Sequence, residues 1–421
     1  MPKFDVLIIG AGAAGLMCAH IAGKRGRSVL LLDHAKKPAE KIRISGGGRC
    51  NFTNHYSTPS AFISNNPHFC KSIFSRYTQT DFIELVRSHK IDFHEKKLGQ
   101  LFCNNSAQDI IKMLLNECER ANVILQLETQ IKTVQASEKG FQVKVKSVDA
   151  IENIECESLV IATGGLSIPK IGASRFGYDI AKQFGLKVTS LKPALVPLTF
   201  HSEFLDRCRT LSGVSLNAEI SFGTVCFREG LLFTHRGLSG PSVLQISSYW
   251  DEESEITINL LPELDLLDFL KRCKSDSPKQ AIHVALSQHL PKRLAEDILN
   301  ELGLAGRLAD LSHDKLQTLS ERIHKWLVIP NGTEGYRTAE VTCGGVDVNS
   351  ISAKTMQSKS RKGLYFIGEV IDVTGHLGGY NFQWAWSSGF VAGQNVLVTI
   401  DLTTPLPQSR FTNPVPARYQ Q

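Results

Sequence analysis

The sequence has no apolar run long enough to cross a bilayer as a helix, which takes about 20 such residues in a row. Nothing like a secretory leader stands before the first apolar run, Phe4 to Ile9, so neither a membrane partner nor export is expected. Paired cysteines are missing too. The chain has 10 cysteines, but none forms Cys-x-x-Cys and none stands at finger spacing with histidine. No metal site is therefore expected, and the thiols should be free in a reducing cytoplasm. Strong charge of either sign is also absent. A net charge of +6 over 421 residues, with no clustered basic helices, argues for a small-molecule substrate and against a nucleic-acid partner. Serine-hydrolase, zincin and P-loop signatures do not occur, nor does any internal repeat. A length of 421 residues exceeds one ordinary core, so two or three domains are expected, in a monomer or homodimer.

What is present begins at the N-terminus. The apolar run Phe4 to Ile9 leads into Gly10-Ala11-Gly12-Ala13-Ala14-Gly15, and a helical pattern follows. This is a Gly-x-Gly-x-x-Gly fingerprint in its required strand–turn–helix setting. Gly10 allows the turn, Gly12 lets backbone approach a pyrophosphate, and Gly15 lets the helix pack on the strand. The helix N-terminus, with Ala13 and Ala14 in its first turn, offers N–H groups and a positive dipole end to phosphates. A second strand, Arg27 to Leu32, ends at Asp33, 18 residues after Gly15. A carboxylate there suits an unphosphorylated ribose. An adenine dinucleotide follows, and no second such fingerprint offers a separate nicotinamide domain.

Periodicity sets out the rest. A basic, glycine-rich loop runs from Lys36 to Asn54, and helices are expected at Pro67–Tyr77, Thr80–His89 and Ser106–Ala121, with Ser106 as N-cap. A hairpin is expected around Leu98-Gly99, a strand at Val123–Leu127, a hairpin turning at Gly140, and a core strand ending in Ala162-Thr163-Gly164-Gly165. Character changes after Pro193. Strands are expected at Val214–Phe222, Val225–Phe227, Leu231–Phe233 and Glu255–Leu260, then helices at Leu264–Lys274, Pro278–Gln288, Pro291–Leu302 and Asp314–Trp326. The expected domains are a cofactor-binding unit in two parts, 1–192 and 334–402, and an inserted substrate unit, 193–333. The insert divides into a β-rich part, 193–262, and a helical part, 263–326. A proline-bearing tail, 403–421, closes the chain.

The C-terminal part favours FAD over NAD. The strand Gly363–Val370 ends in Gly368-Glu369, where many flavoenzymes of the glutathione-reductase type carry Gly-Asp. Either Glu369 or Asp372 would then bond the ribityl chain. The helix after Gly378-Gly379-Tyr380-Asn381 would aim its N-terminus at the flavin pyrimidine edge, stabilising charge on the reduced ring. Gly389 and Gly393 would let that helix lie close to the sheet. In Lys41-Ile42-Arg43-Ile44-Ser45-Gly46-Gly47-Gly48-Arg49-Cys50-Asn51-Phe52-Thr53-Asn54, three glycines among cations make an anion nest. Lys41 and Arg49 would neutralise the pyrophosphate, and the Asn51 and Asn54 amides would reach the ring edge. Cys50 has no second cysteine nearby and reads as a packing thiol. Candidate proton-transfer or substrate residues are His235 and Arg236 on an exposed loop, Glu340 beside Gly344-Gly345, and His376 beside Gly378.

With these motifs the chain resembles a bacterial family of NAD(P)/FAD-dependent oxidoreductases, the aminoacetone-oxidase-type flavoproteins related to 3-oxo bile-acid reductases. The string Ser45 to Asn54 carries that resemblance most specifically. It implies an α/β fold: a Rossmann-like FAD domain with an inserted β-barrel and a small helical piece, and tightly bound FAD. Asp33 stands where such folds often carry glutamate. The expected activity is hydride transfer at flavin N5 to or from a small organic substrate. A reductase of a conjugated carbonyl, with NAD(P)H as transient co-substrate, leads an amine oxidase. A nucleic-acid-modifying flavoprotein, or an FAD-binding module without turnover, is the alternative of another class.

Overall fold

The computed structural model describes residues 1–147 and 150–397; the expected tail 403–421 lies outside them. Two apolar cores organise these residues. One gathers the opening strand, the first helix, the segments between Val29 and Leu186, and the C-terminal stretch from Val346 to Val396. The other is built between Leu198 and Val328.

At the centre of the first core lie parallel strands whose residues are buried on both faces, which is why they read as unbroken apolar runs. The opening strand Lys3–Ile9 pairs with Val29–Leu32 on one side and with the long strand Ile151–Ile161 on the other. Ile124–Gln126 extends the sheet beyond Val29–Leu32, and Leu364–Phe366 pairs with the far end of the long strand. The near end of that strand turns antiparallel, joining Gly140–Lys146 and Gln130–Ser137. The Rossmann expectation is met: all these parallel strands end on the side where Gly10 and Ala162 lie.

The first helix, Ala13–Lys24, is buried along most of its length because the C-terminal helix, Tyr380–Asn395, lies against it. Gly389 and Gly393 make that approach possible. A Cβ on Gly389 would stand 2.6 Å from the Ala14 carbonyl oxygen, and one on Gly393 would stand 2.7 Å from Ile21 Cβ. These glycines therefore pack helix on helix, rather than helix on sheet as expected. The Lys36–Asn54 segment is more ordered than a loop. It holds the short helix Glu40–Ile44, three glycines with positive φ at 46–48, and the strand Asn51–Asn54.

Glu117 knots the periphery of this unit. It lies on the helix Ala107–Arg120 with its side chain 6% exposed, and it accepts from Lys24 and from His89 Nε2 at 2.9 Å. Burial alone would raise its carboxyl, but the hydrogen bonds from Lys24 and His89 carry it down to about 2. A carboxyl depressed in the folded state stabilises above its unfolded value and loses that contribution as pH falls through the folded one. Glu117→Gln is expected to cost on the order of 3 kcal/mol at pH 7. The difference from wild type should shrink steadily between about pH 4.5 and pH 2 in urea melts. A difference independent of pH would remove the Glu117 ion pairs from the account.

The second core lies under a seven-stranded antiparallel sheet. Its end strands, Trp326–Val328 and Gly332–Thr333, are three residues apart in the chain, so the two edges come back towards each other as in a barrel left open. The two short strands expected at 225–233 are one strand, Val225–Thr234, and the helix expected over Pro278–Gln288 is cut to Ile282–Leu286. His235 and Arg236 are exposed, as expected, at the tip of a tight hairpin rather than in a long loop. Gly237–Ser239 pairs back on Leu232–Thr234, and Gly237 and Leu238 are buried. Helices Leu266–Asp276, Lys292–Glu301 and His313–His324 cover the sheet. No helix among the described residues is long and apolar enough to cross a membrane.

Candidate functional site

The ends of the parallel strands form a cradle. A Cβ on Gly10 would meet the Ala162 oxygen at 2.4 Å, and one on Gly15 would meet the Gly10 oxygen at 1.8 Å. These two glycines are consumed by packing. Gly12 differs: a Cβ there meets nothing within 4 Å, and the same holds at Gly47, Gly48 and Gly164. Asp33 closes one end. Its oxygens accept from Ala11 N–H at 2.7 Å and Ala35 N–H at 2.9 Å, and each keeps lone-pair capacity for a ribose hydroxyl. Ala13 and Ala14 begin the helix beside this opening, and Gly368 stands across from Ala14. Open backbone at four glycines, a carboxylate at one end and a helix N-terminus between them fit an extended dinucleotide. Thr163 is less apt, since its hydroxyl faces Gly177 and is buried without a partner.

Lys41 and Glu369 are not disposed as the sequence suggested. Lys41 Nζ donates to Glu369 Oε2 at 2.6 Å and to Ser167 Oγ at 2.7 Å. The other carboxylate oxygen accepts from Thr342 N–H at 3.0 Å and Ser167 Oγ at 3.1 Å. The cation and the acid thus neutralise each other and tie three segments together, leaving neither free to meet a ligand alone. Asp372 is buried and accepts from Asn65 N–H at 3.2 Å, and burial raises its carboxyl. Glu340 lies within the same region; its backbone oxygen accepts from Lys41 Nζ at 3.4 Å, and its side chain has no hydrogen-bond partner among the described residues. Its side chain is reached by solvent although protein surrounds it, and that burial raises its carboxyl against the opposing pull of Lys41.

The glycine loop and the Gly378 turn do come together. With the Asn51 amide turned so that its nitrogen meets acceptors, its oxygen accepts from Gly379 N–H at 3.1 Å. Asn54 Nδ2 donates to the Gly378 oxygen at 2.9 Å and to the Leu98 oxygen at 3.0 Å. Asn381 bonds back to both Gly375 N–H and its oxygen. These three amides therefore hold the turn rather than pointing at a ring edge. Ser45 bonds the Ile42 carbonyl, Gly46 lies against Phe102, and Cys50 is fully buried with its thiol pushed far up by burial, as a packing thiol would be. Arg49 is exposed and makes no ion pair or side-chain hydrogen bond among the described residues.

Where the two cores meet, a cluster appears that sequence spacing did not reveal. His376 Nε2 and the Tyr249 hydroxyl are 2.6 Å apart, 127 residues apart in the chain. Burial lowers His376 to about 4 and pushes Tyr249 up to about 12, so at neutral pH one proton is shared by a neutral imidazole and a phenol. Phe227 meets His376 edge-on at 5.2 Å, and Tyr380 meets it at 5.9 Å. Beside them Lys97 Nζ stands 3.3 Å from Glu229 Oε2, joining the Leu98 hairpin to the strand Val225–Thr234. Of the sequence candidates, His376 belongs here. His235 and Arg236 sit on an exposed turn; Arg236 faces Glu334 at 3.9 Å, and among the described residues no hydrogen bond joins either to this cluster. Tyr249 and Phe227 lie in no motif, and nothing local in the sequence marks them.

Residues 4–395 match the family described as HI0933-like protein Rossmann domain. Among curated proteins, the chain is 53% identical over 404 residues to "Ribosomal RNA dihydrouridine synthase" of Escherichia coli (strain K12), covering 94% of this chain and 99% of that one. It is 48% identical over 400 residues to the protein of the same name from Haemophilus influenzae (strain ATCC 51907 / DSM 11121 / KW20 / Rd), covering 93% and 98%. A more distant relative, "3-dehydro-bile acid delta(4,6)-reductase" of Clostridium scindens (strain ATCC 35704 / DSM 5676 / VPI 13733 / 19), is 26% identical over 406 residues, covering 92% and 97%. Two expectations fall to the first two relatives: a small organic substrate and the absence of a nucleic-acid partner. The physical error lies in the use of net charge. A total of +6 averages over a whole surface, whereas a strand of RNA meets only local charge and exposed rings.

Proposed function

The chain belongs to the HI0933-like Rossmann-domain family, and on that footing we propose that it is an FAD-dependent enzyme reducing uridine to dihydrouridine in ribosomal RNA. The observation that carries this reading is nearly full-length identity of 53% and 48% to two relatives bearing that name. FAD is assigned to the cradle of Gly12, Gly47, Gly48, Gly164 and Asp33. Bound there, FAD supplies two-electron hydride chemistry that no side chain provides. A reduced nicotinamide is the assigned electron source; with no second fingerprint, it would bind only in passing.

Saturating the C5=C6 bond of uracil adds a hydride to one carbon and a proton to the other. The protein's own task is the proton, together with placing the base. Tyr249 Oη holds a proton that burial prevents from leaving to water, and His376 Nε2 orients it at 2.6 Å. Phe227 and Tyr380 wall the cluster with ring faces and edges, a surface suited to a flat base taken out of its stack. The units at 1–192 with 334–402 and at 193–333 would then divide the work, one holding cofactor and the other closing over the base.

The test uses ribosomal RNA from cells lacking this gene. Incubation with the purified holoenzyme and a reduced nicotinamide is expected to add dihydrouridine, read by nucleoside mass spectrometry as a two-dalton gain on uridine. RNA indistinguishable from an enzyme-free control would overturn the proposal.

A further inference from the structure

The small antiparallel sheet of Asn51–Asn54, Gln100–Cys103 and Phe93–Glu95 has a task that the fold does not account for. We propose that one exposed face, running from the 96–99 turn along the strand Asn51–Asn54, is the docking surface for single-stranded RNA next to the reacting nucleotide, with Tyr56 and Leu98 meeting bases and Lys96 and Arg49 meeting phosphates. This inference rests on the proposed reaction and adds the place where its substrate lies.

Exposure is the first argument. Tyr56 is 61% exposed and Leu98 56%, two large apolar side chains placed together at a hairpin tip. A Cβ on Gly99, the residue after Leu98, would stand 2.7 Å from the Tyr56 ring. Burying such groups would favour folding, and their joint exposure marks a surface that meets a partner. The second argument is charge. Lys96 Nζ lies 5.4 Å from the Phe102 ring centre and has no carboxylate partner among the described residues; Arg49 has none either. Phe102 in turn lies against Gly46, in the loop that carries Arg49. The exposed acid beside this turn, Glu95, has partners of its own: it accepts from Gly99 N–H at 3.2 Å and faces His55 at 3.8 Å. Neighbouring Lys97 is committed to Glu229. Lys96, at the turn that carries Leu98, and Arg49, at the other end of the strand Asn51–Asn54, make with the exposed ring and aliphatic group a surface complementary to a polyanion whose bases present apolar faces.

The third argument is position. One amide, Asn54 Nδ2, bonds both the Leu98 oxygen and the Gly378 oxygen. The hairpin tip is thus held against the turn that carries His376. A strand lying over Tyr56 and Leu98 can present one nucleotide to the Tyr249–His376 cluster while its neighbours stay on the sheet, which suits an enzyme that works on a base outside its stack.

The experiment measures binding of the FAD-loaded protein to a fluorescein-labelled single-stranded 20-mer RNA rich in uridine, by anisotropy at several potassium chloride concentrations. Tyr56→Ala is expected to weaken binding by about 5- to 100-fold, the range for loss of one stacked base, while Tyr56→Phe keeps wild-type affinity. Lys96→Glu is expected to weaken binding and to lower the slope against log salt by about 1. Lys292→Glu, on a helix of the insert, should bind as wild type does. Flavin content and anaerobic bleaching by reduced nicotinamide are expected to be unchanged in all four variants. Wild-type affinity in both Tyr56→Ala and Lys96→Glu would overturn the docking surface. If the wild-type protein still forms dihydrouridine in that case, the proposed reaction stands without it. If the wild-type protein forms none, the reaction itself has failed.

Discussion

Gly12→Val is expected to give a folded protein that no longer retains FAD. The backbone at Gly12 is extended, φ −83° and ψ −168°, a conformation that valine adopts readily. A Cβ at this position meets no protein atom within 4 Å. The substitution therefore strains neither the turn nor the packing, and its methyl groups fill the space proposed for the pyrophosphate. Backbone approach is lost, and with it the N–H contacts at the helix start. Affinity for FAD should fall at least about a hundredfold, roughly 3 kcal/mol. The purified variant should lack flavin absorbance but show wild-type circular dichroism. Its melting temperature should match that of wild-type protein stripped of FAD, because the stabilisation by bound ligand is all that is lost. Gly15→Val supplies the contrast. There the new Cβ would overlap the Gly10 carbonyl at 1.8 Å, so misfolded protein is expected. A Gly12→Val protein that binds FAD like wild type would place the dinucleotide elsewhere.

Tyr249→Phe is expected to abolish reduction of uridine while leaving the partial reactions around it intact. Phenylalanine keeps the ring that packs near Phe227 at 5.8 Å and removes only the hydroxyl shared with His376. Removing it leaves His376, neutral and half-buried, without the hydroxyl it orients. General-acid contributions of this kind are worth about 10²- to 10⁴-fold. The fall should appear in kcat, with KM for RNA and the rate of flavin bleaching by reduced nicotinamide near wild type. A single-turnover assay on pre-reduced enzyme isolates the step. A dihydrouridine yield within about threefold of wild type would show that the proton comes from another donor. A broader loss that includes RNA affinity would make Tyr249 a packing residue.

The two predictions differ in how visible their grounds were from the sequence. Gly12 stands in a fingerprint because strand, turn and helix are set by neighbours within a few residues, and local backbone rules suffice to read them. The same holds for the helix Ala107–Arg120 with its Ser106 cap and for the hairpin at Leu98-Gly99. Pairing of distant charges was not legible. Glu369 looked like a ribityl ligand and Lys41 like a pyrophosphate cation, yet they bond each other across 328 residues. The asparagines of the glycine loop looked like ring contacts, and the Gly378 turn uses them instead. Each side chain had the right chemistry for a ligand, and a nearer protein partner took it.

Charge shows the same limit from the other side. A total of +6 does not say where cations are left unpaired. Lys97 and Lys96 are adjacent in sequence; one is held by Glu229 and the other is free over Phe102. Only the folded sheet distinguishes them.

The sequence by itself determined the parallel-sheet fold, the Gly-x-Gly-x-x-Gly pattern at Gly10 to Gly15 followed by Asp33 at the end of the next strand, and a change of character after Pro193. These depend on hydrophobic period and on backbone conformation, which act over a few residues. The tertiary structure alone decided that Tyr249 meets His376, that Lys41 is spent on Glu369, and that Tyr56 lies at the turn that carries Lys96 and Leu98. Such meetings are settled by which surfaces bury against each other when the two cores close, and no local pattern in the chain encodes them.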